Sequence, residues 1–412
     1  MSSRSVRSAP PARVLPRGPG VVLFGTAGFV NALGMGFFYP FSLLFYTSLS
    51  GVPLRAVGAV LTVTALAVLP ALHLVGRLVD RVGPQPVLAA AGVVRALCFL
   101  GFVAIPGLVP LAVFSFLLAL ATRADNAAAP LLAYRLAPEE QTSQWLALSR
   151  VVFNAGIGLG ALIASVFIVD TAQGFAVLGL IYASALALTA ALYFATRRVP
   201  ARDRAPAGPA RSRPAGPWRH RAFMRVALAN ALLLTAALAV ETGMPVFVLD
   251  TLALPAWTVG VLFATNTALL AVLQLPLSRV LDRLRPAVVL ALGGLAYAGL
   301  YAALLAAGGT PPGLRVVVLV AGVAAYTLGE LAVSQAALVM LTGLPPDREK
   351  GAYLAFNQLF VGGATALSPL LVTSLLSRAP AMLWWALTAL SVLTALLMLP
   401  ALRPDRRPAG PE

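Results

Sequence analysis

Gly76-Arg-Leu-Val-Asp-Arg-Val-Gly83 joins two long apolar segments and carries the pattern R-x-x-D-R at 77–81. The same pattern stands at 279–283, at an offset of 202 residues, again between two apolar segments. Two further matches have nearly the same offset. The loop and the aromatic-Leu-Ala sequence at 136–148 recur at 344–356, and Pro40 recurs as Pro245. These matches at nearly one offset indicate a duplicated chain, whose two halves repeat the same elements in the same orientation.

The composition surrounding these repeats is that of a membrane protein. Of the 412 residues, 59% are hydrophobic and only 11% are charged, whereas soluble proteins carry about 25% charged residues. A soluble fold of this length would lack the polar residues needed to cover its surface. Soluble enzymes, disordered chains and nucleic-acid-binding domains are therefore excluded, and a protein that crosses the membrane several times is expected.

The apolar runs predict an all-α membrane protein with twelve transmembrane helices in two pseudo-symmetric six-helix bundles. A helix needs about 20 apolar residues to cross the hydrocarbon core, and the runs are continuous rather than alternating, which excludes a strand barrel. The predicted helices, numbered 1 to 12, are 21–46, 54–76, 86–106, 109–133, 142–168, 174–196, 222–249, 257–279, 286–307, 314–341, 351–376 and 380–402.

The distribution of the 30 basic residues predicts the topology. Arginines crowd the two chain ends and every second loop, so the positive-inside rule places both termini and the 197–221 loop in the cytoplasm of a bacterial cell, with the chain in its inner membrane. The long first apolar segment is interpreted as an uncleaved helix. The predicted organisation is a disordered tail, a first bundle, an Arg/Pro-rich linker, a second bundle and a second tail, at 1–19, 20–196, 197–221, 222–402 and 403–412.

The repeated motif and the duplication resemble those of the major facilitator superfamily of transporters. The resemblance extends over essentially residues 20–402. The stretch 76–83 is similar to the family's GxLxDRxG motif, and a parallel duplication is the family's arrangement. The resemblance implies a conformational latch, in which glycine permits a close helix approach and Asp and Arg form charge-assisted bonds. The implied latch residues are Gly76, Asp80, Arg81 and Gly83, with Arg279, Asp282 and Arg283 in the second half. The sequence departs from the motif at 84–86, where Pro-Gln-Pro replaces the family's usual basic residues.

Two further motifs resemble the twelve-helix drug:proton antiporters of this family. Residues 123–129 in helix 4 are similar to the motif RxxQGxGAA, with Asn126 in place of Gln. That resemblance implies that Arg123 takes part in proton coupling. Residues 156–165 in helix 5 look like a degraded GxxxGPxxGG motif, with Ala161 in place of Pro.

Charged side chains inside a bilayer are costly and are functional candidates by default. A carboxyl group in a low-dielectric cavity can bind and release protons near neutral pH, and alternating access would expose it to each side in turn. The proton-coupling and cavity candidates are Glu330, Glu241, Arg123, Asp125 and Arg150. The alternative is a structural ion pair or hydrogen bond for Glu330, a tie between helices for Glu241, and a side chain that snorkels to the interface for Arg150. Arg95 in helix 3 is interpreted as a side chain that reaches towards the lipid headgroups.

Helix 5 presents two different faces. Arg150, Asn154 and Gly158 lie on one face, which should look into a polar cavity, while Gly156 and Gly160 lie nearly opposite and should pack on another helix. Amides, methionines and aromatic rings suit amphipathic organic substrates. The substrate-cavity candidates are Asn31, Met35, Phe38, Asn154, Asn230, Asn266, Tyr326, Asn357 and Gln358.

The sequence favours proton-driven efflux of small amphipathic organic compounds by alternating access. Proton-coupled uptake of a small metabolite by the same fold remains the alternative. Paired metal ligands, a nucleophile elbow and a P-loop are all lacking from the sequence, which argues against an enzyme and against direct use of ATP. No metal and no cofactor are expected, and the partners should be the substrate, protons and the lipid bilayer, with the protein acting as a monomer and binding no nucleic acid.

Overall fold

The computed structural model describes residues 19–136, 142–167, 172–198, 217–346 and 349–402. Most of the predicted tails and of the predicted linker lies outside these ranges, so the domain boundaries remain predictions. The described part contains twelve long helical segments, which we number in chain order. They are α1 (Pro19–Phe38 and Ser42–Ser50), α2 (Leu54–Val68 and Leu72–Val82), α3 (Pro84–Ala104), α4 (Leu108–Leu136), α5 (Thr142–Phe167), α6 (Ala172–Ala195), α7 (Arg221–Val246), α8 (Ala256–Leu281), α9 (Pro286–Ala307), α10 (Pro312–Gly343), α11 (Lys350–Leu376) and α12 (Pro380–Leu402).

Each predicted helix corresponds to one of these segments, so the all-α fold with twelve transmembrane helices is confirmed. Eleven of the helices are long and apolar enough to cross a membrane by themselves. The remaining one, α5, has a shorter apolar stretch at Val152–Ser165 within the described residues. Many leucines and valines on the outside of the bundle are exposed, as expected for side chains that face lipid instead of water.

The helices form two six-helix bundles that repeat one packing scheme. In the first half α1 packs on α5 and α6, α3 packs on α4 and α6, and α2 packs on α4. In the second half α7 packs on α11 and α12, α9 packs on α10 and α12, and α8 packs on α10. Each of these five pairs of the first bundle therefore has its counterpart six helices later, as the duplicated sequence predicts.

The duplicated prolines distort the same part of each half. Pro40 lies in a 3-10 turn, Tyr39–Phe41, that interrupts α1. Pro245 lies near the end of α7, just before a π-helical turn at Phe247–Thr251. Proline has no N–H to donate and its ring clashes with the preceding turn. The first helix of each bundle, α1 or α7, is therefore distorted at this depth.

The two bundles touch each other at one end. We call the end of the bundle near Pro19 and Leu402 the tail side, and the opposite end, near Ser50 and Pro380, the far side. On the far side the 39–41 turn and the end of α1 contact α7, while α2 contacts α11 and α5 contacts α8. The bundles are therefore joined, and the molecule is closed, at the far side.

Two glycines fix the closest of these contacts. A side chain on Gly58 of α2 would collide with Thr373 of α11, and a side chain on Gly260 of α8 would collide with Ser165 of α5. Gly58 and Gly260 stand at the offset of 202 found for the charged loops. The two contacts are therefore symmetric copies. In each, a hydroxyl-bearing side chain of the opposite helix occupies the space that a side chain on the glycine would need.

The small-residue face of α5 packs on α1, as its sequence predicts. Side chains on Gly156 and Gly160 would meet Ala32 and the Leu33 carbonyl of α1. This close approach orients the other face of α5 towards the second bundle, where a side chain on Gly158 would meet Thr267 of α8.

Candidate functional site

A cavity of about 360 Å³ lies between the two bundles. Residues of α1 and its 3-10 turn and of α5 line it from the first half, and residues of α7, α8, α9 and α10 line it from the second. Its polar and charged lining residues are Tyr39, Asn154, Glu241, Asn266, Thr267, Tyr326 and Glu330, and its apolar ones include Met35, Phe153, Ile157, Met244, Phe263 and Leu270. The far-side contacts close this cavity at one end.

The carboxyl group of Glu330 is held in place by α8. The Asn266 side-chain N–H donates to Glu330 Oε2 at 2.9 Å and to Thr327 Oγ1 at 3.0 Å. An amide nitrogen carries two hydrogens, so it can make both bonds at once. The Thr327 hydroxyl in turn donates to the carbonyl of Val323 at 2.7 Å. The Glu330 carboxyl thus has a fixed position on the cavity wall while one of its oxygens remains available.

The second carboxyl group of the cavity, Glu241, is less restrained. Glu241 is exposed even though it lies in the interior of α7, because it faces the cavity. Within the described residues no hydrogen bond or ion pair ties down its side chain. Glu241 and Glu330 line the same cavity, and two carboxylates that share one site repel each other when both are ionised and neither is compensated.

Six of the predicted residues meet in this cavity. They are Met35, Asn154, Glu241, Asn266, Tyr326 and Glu330. The other cavity candidates with a described side chain lie outside the lining, namely Asn31, Phe38, Asn230, Asn357 and Gln358. Phe38 is packed in an aromatic cluster of the first bundle, 4.7 Å from the Phe99 ring and 5.3 Å from that of Tyr182 between centroids.

The interpretation of Arg95 as a lipid-facing side chain is wrong. Arg95 is only 4% exposed and lies 3.6 Å from Asp125 of α4, between Nη1 and Oδ1. Its Nη2 also donates to the Tyr182 hydroxyl at 3.1 Å and to Asn31 Oδ1 at 3.3 Å. Arg95 therefore joins α1, α3, α4 and α6 in the centre of the first bundle, because a guanidinium buried in an apolar bundle needs a counter-charge and acceptors.

Asp125 and Arg123, the two proton-coupling candidates of the first half whose side chains the structure describes, do not line the cavity. Asp125 is buried against Arg95, and Arg123 is half-buried in α4 outside the cavity lining. The side-chain partner of Glu330 is Asn266. Arg150 lies in α5 one turn before Asn154, but its side chain is outside the described part of the chain.

The two charged loops differ between the halves. Asp80 and Arg81 are exposed on the tail side, and a side chain on Gly76 would meet nothing within 4 Å, so the close approach expected at that glycine is absent from this conformation. Gly83 ends α2 with φ +88°, a backbone conformation that favours glycine.

In the second half Arg279 and Arg283 are exposed, but Asp282 has a partner. Gln335 of α10 donates its side-chain N–H to Asp282 Oδ1. The same amide donates to the Ser278 carbonyl at 3.3 Å. The charged loop is thus bonded to the neighbouring helix in the second half only, within the described residues.

Three aromatic residues of the cavity lining were not predicted from the sequence. Tyr39, Phe153 and Phe263 line the cavity together with Tyr326. Phe153 directly precedes Asn154 of the predicted cavity face of α5, and Tyr39 adjoins the repeated Pro40. These two patterns were the available signals, since an aromatic ring in an apolar helix otherwise has the same sequence signature whether it faces lipid, core or cavity.

Comparison with known proteins agrees with this fold. Residues 24–334 match the Major Facilitator Superfamily. The nucleoside transporter NupG superimposes with a TM-score of 0.76 at 12% identity, covering 93% of this chain and 100% of that one. The peptide transporter POT in complex with sulfate gives 0.72 at 16% identity, covering 93% and 95%.

A third similar structure is a POT family transporter in complex with a thioalcohol-conjugated peptide. It gives a TM-score of 0.68 at 15% identity and covers 92% of this chain and 95% of that one. No curated protein sequence matches the chain. At these identities the solved structures show a common fold, and the family match extends over most of the chain. The chain therefore belongs to the major facilitator superfamily and is a multi-pass membrane transporter, not an enzyme.

Proposed function

We propose that this transporter takes up a small organic molecule together with protons. The observation that carries the proposal is the pair of carboxyl groups, Glu241 and Glu330, in one cavity between the two bundles. A carboxyl shared by proton and substrate would force them to exchange. Two carboxyls allow a proton on one while the substrate contacts the other, and this simultaneous occupancy is what cotransport requires.

The fixed position of Glu330 suits the proton. Asn266 holds the Glu330 carboxyl, whereas Glu241 is exposed to the cavity and unrestrained by described residues. A proton on Glu330 leaves Glu241 as a single ionised carboxylate in the cavity, so a proton and a substrate can occupy the cavity at the same time. Both are then released together when the cavity opens to the opposite side.

The contacts between the bundles suggest how access alternates. The far side is closed by the symmetric Gly58 and Gly260 contacts. A rocking motion that parts these contacts would open the cavity to the far side, which is the outer side under the predicted topology. Each contact places a glycine against a hydroxyl-bearing residue, Thr373 or Ser165.

Uptake is favoured over the efflux that the helix 4 and helix 5 motifs imply. Arg123, on which the antiporter resemblance depends, lies outside the cavity, and the similar solved structures are named as peptide and nucleoside transporters. The carboxyl pair supports cotransport by chemistry, independently of these names.

The direction of coupling can be tested with a pH-sensitive dye inside proteoliposomes. Adding a substrate outside should acidify the lumen if the proton enters with it, and should make the lumen alkaline if the proton leaves in exchange. Nucleosides, dipeptides and fixed-charge ammonium compounds form the panel. Acidification that is lost in Glu330→Gln and kept in Glu349→Gln, whose carboxyl lies outside the cavity lining, is the expected result. An alkaline response, or an unchanged Glu330→Gln signal, would contradict the proposal.

A further inference from the structure

We propose that the cavity binds small organic cations, with the ammonium group at Glu241 and the apolar part against the aromatic wall, and that it does not accept peptides or other carboxylates. This inference rests on the proposed function, because it names the substrate class of the same cavity. It separates the protein from the peptide transporters that it resembles in fold.

The charge of the cavity is the first reason. Glu241 and Glu330 line it, and none of the lining residues that the structure describes is an arginine, a lysine or a histidine. A carboxylate drawn into this space would lose its hydration, meet two acidic groups and find no cationic partner among the described side chains. An ammonium group would instead compensate the carboxylate that the proton leaves ionised.

The walls around the carboxyls are the second reason. Phe153, Phe263, Tyr39 and Tyr326 contribute aromatic rings to the lining, and Met35 and Met244 contribute thioethers. Aromatic faces attract cations by about 0.5–2 kcal/mol, most strongly where water is excluded. Thioethers adapt their shape to irregular apolar groups. The wall thus suits the hydrophobic part of an organic cation as well as its charge.

The size of the cavity is the third reason. Its volume of about 360 Å³ is at the lower end of the roughly 300–1,000 Å³ range of ligand pockets. Glu241 is the carboxyl left for the ammonium group, since the proposed function assigns the proton to Glu330, which Asn266 holds. A single-ring amine of moderate length therefore fits the position between Glu241 and the rings.

Four probes with one scaffold test the proposed class. They are phenethylamine, trimethyl(phenethyl)ammonium, 2-phenylethanol and 3-phenylpropanoate, and alanyl-phenylalanine represents peptides. Ligands that bind the native state raise the melting temperature of the purified protein, and at equal concentration the tighter ligand raises it more. We expect both cations to do so at millimolar concentration, with roughly tenfold weaker binding of the neutral alcohol and no effect of the acid or the dipeptide.

Variants assign the cation to its place. Glu241→Gln should weaken cation binding roughly tenfold, because it removes a charge-assisted contact, and Glu349→Gln should leave it unchanged. Should Glu241→Gln fail to fold, Phe153→Leu serves instead, and a few-fold loss for the cations but not for the alcohol is then expected. Binding of the acid or dipeptide as tight as that of the cations, binding that neither variant weakens, or no cation binding at all would overturn the inference.

The outcomes separate this inference from the proposed function. Cations that bind through Glu241 without acidifying the proteoliposome lumen would refute proton-coupled uptake and leave the substrate class intact. Nucleosides or dipeptides that acidify the lumen, without any cation binding, would refute the cationic substrate class and leave proton-coupled uptake intact. If the anionic probe binds, the residue to test is Arg150, one turn before Asn154. Loss of anion binding in Arg150→Gln would identify Arg150 as the partner of the anion.

Discussion

The two bundles share one packing scheme but place their intramembrane charges differently. The first bundle pairs Arg95 with Asp125 in its own centre, where Tyr182 and Asn31 complete the cluster. The second bundle presents Glu241 and Glu330 to the cavity between the halves. After duplication, the same fold thus encloses a paired charge cluster in one half and presents two carboxyl groups to the cavity in the other.

The largest expected effect tests whether the Arg95 cluster stabilises the first bundle. Arg95→Leu leaves Asp125 buried without its counter-charge, and removing one partner of a buried pair costs about 3–5 kcal/mol. We expect a large fall in the melting temperature of the purified protein. The double variant Arg95→Leu/Asp125→Leu should recover most of the loss, since it leaves neither charge unpaired.

The outcome also bears on transport. If the first bundle is a structural wall, the double variant keeps the substrate-dependent proton signal. A stable double variant without that signal would show that Asp125 or Arg95 takes part in coupling, and the contrast between the halves would then fail.

A smaller effect is expected where the halves are equivalent. Gly58→Leu and Gly260→Leu should each disfavour the far-side closed state by about 1–3 kcal/mol, because each overpacks a contact between bundles. Such a change shifts a conformational equilibrium roughly 5- to 150-fold. Gly363→Leu is the control, since a side chain there would meet nothing within 4 Å.

Thiol labelling can measure this shift. Cys98 is the single cysteine and is buried, so Thr267→Cys on the cavity wall provides a specific reporter. A membrane-impermeant reagent added to intact cells should label it faster in both glycine variants. Acceleration in only one of them would show that the two symmetric contacts are not equivalent in closing the far side.

The fold was predictable from the sequence because its signals are local. Continuous apolar runs and basic loops identify helices one at a time, and the repeated R-x-x-D-R pattern identifies the duplication. Glu241 and Glu330 were predictable for a similar reason, since a carboxylate within an apolar run is costly in a bilayer and marks a functional position by default.

The Arg95 cluster and the aromatic wall depend on which helices become neighbours. Nothing near Arg95 in the sequence shows that α4 and α6 bring Asp125 and Tyr182 to it. Likewise Phe38 and Phe153 have similar apolar surroundings in sequence, but only Phe153 lines the cavity. Such distinctions arise from packing between helices, which a pattern within one helix does not contain.

The smallest expected effect concerns the two charged loops. Gln335→Ala removes the bonds from α10 to Asp282 and the Ser278 carbonyl, and a hydrogen bond of this kind contributes about 0.5–1.5 kcal/mol. Asp80→Asn changes an exposed carboxylate at the equivalent place of the first half and should have almost no effect on stability. Denaturant titration of the two variants compares them directly. An equal loss of unfolding free energy in both variants would mean that the first loop is also hydrogen-bonded in solution. The halves would then differ in their ionisable cavity residues but not in the bonding of their tail-side loops.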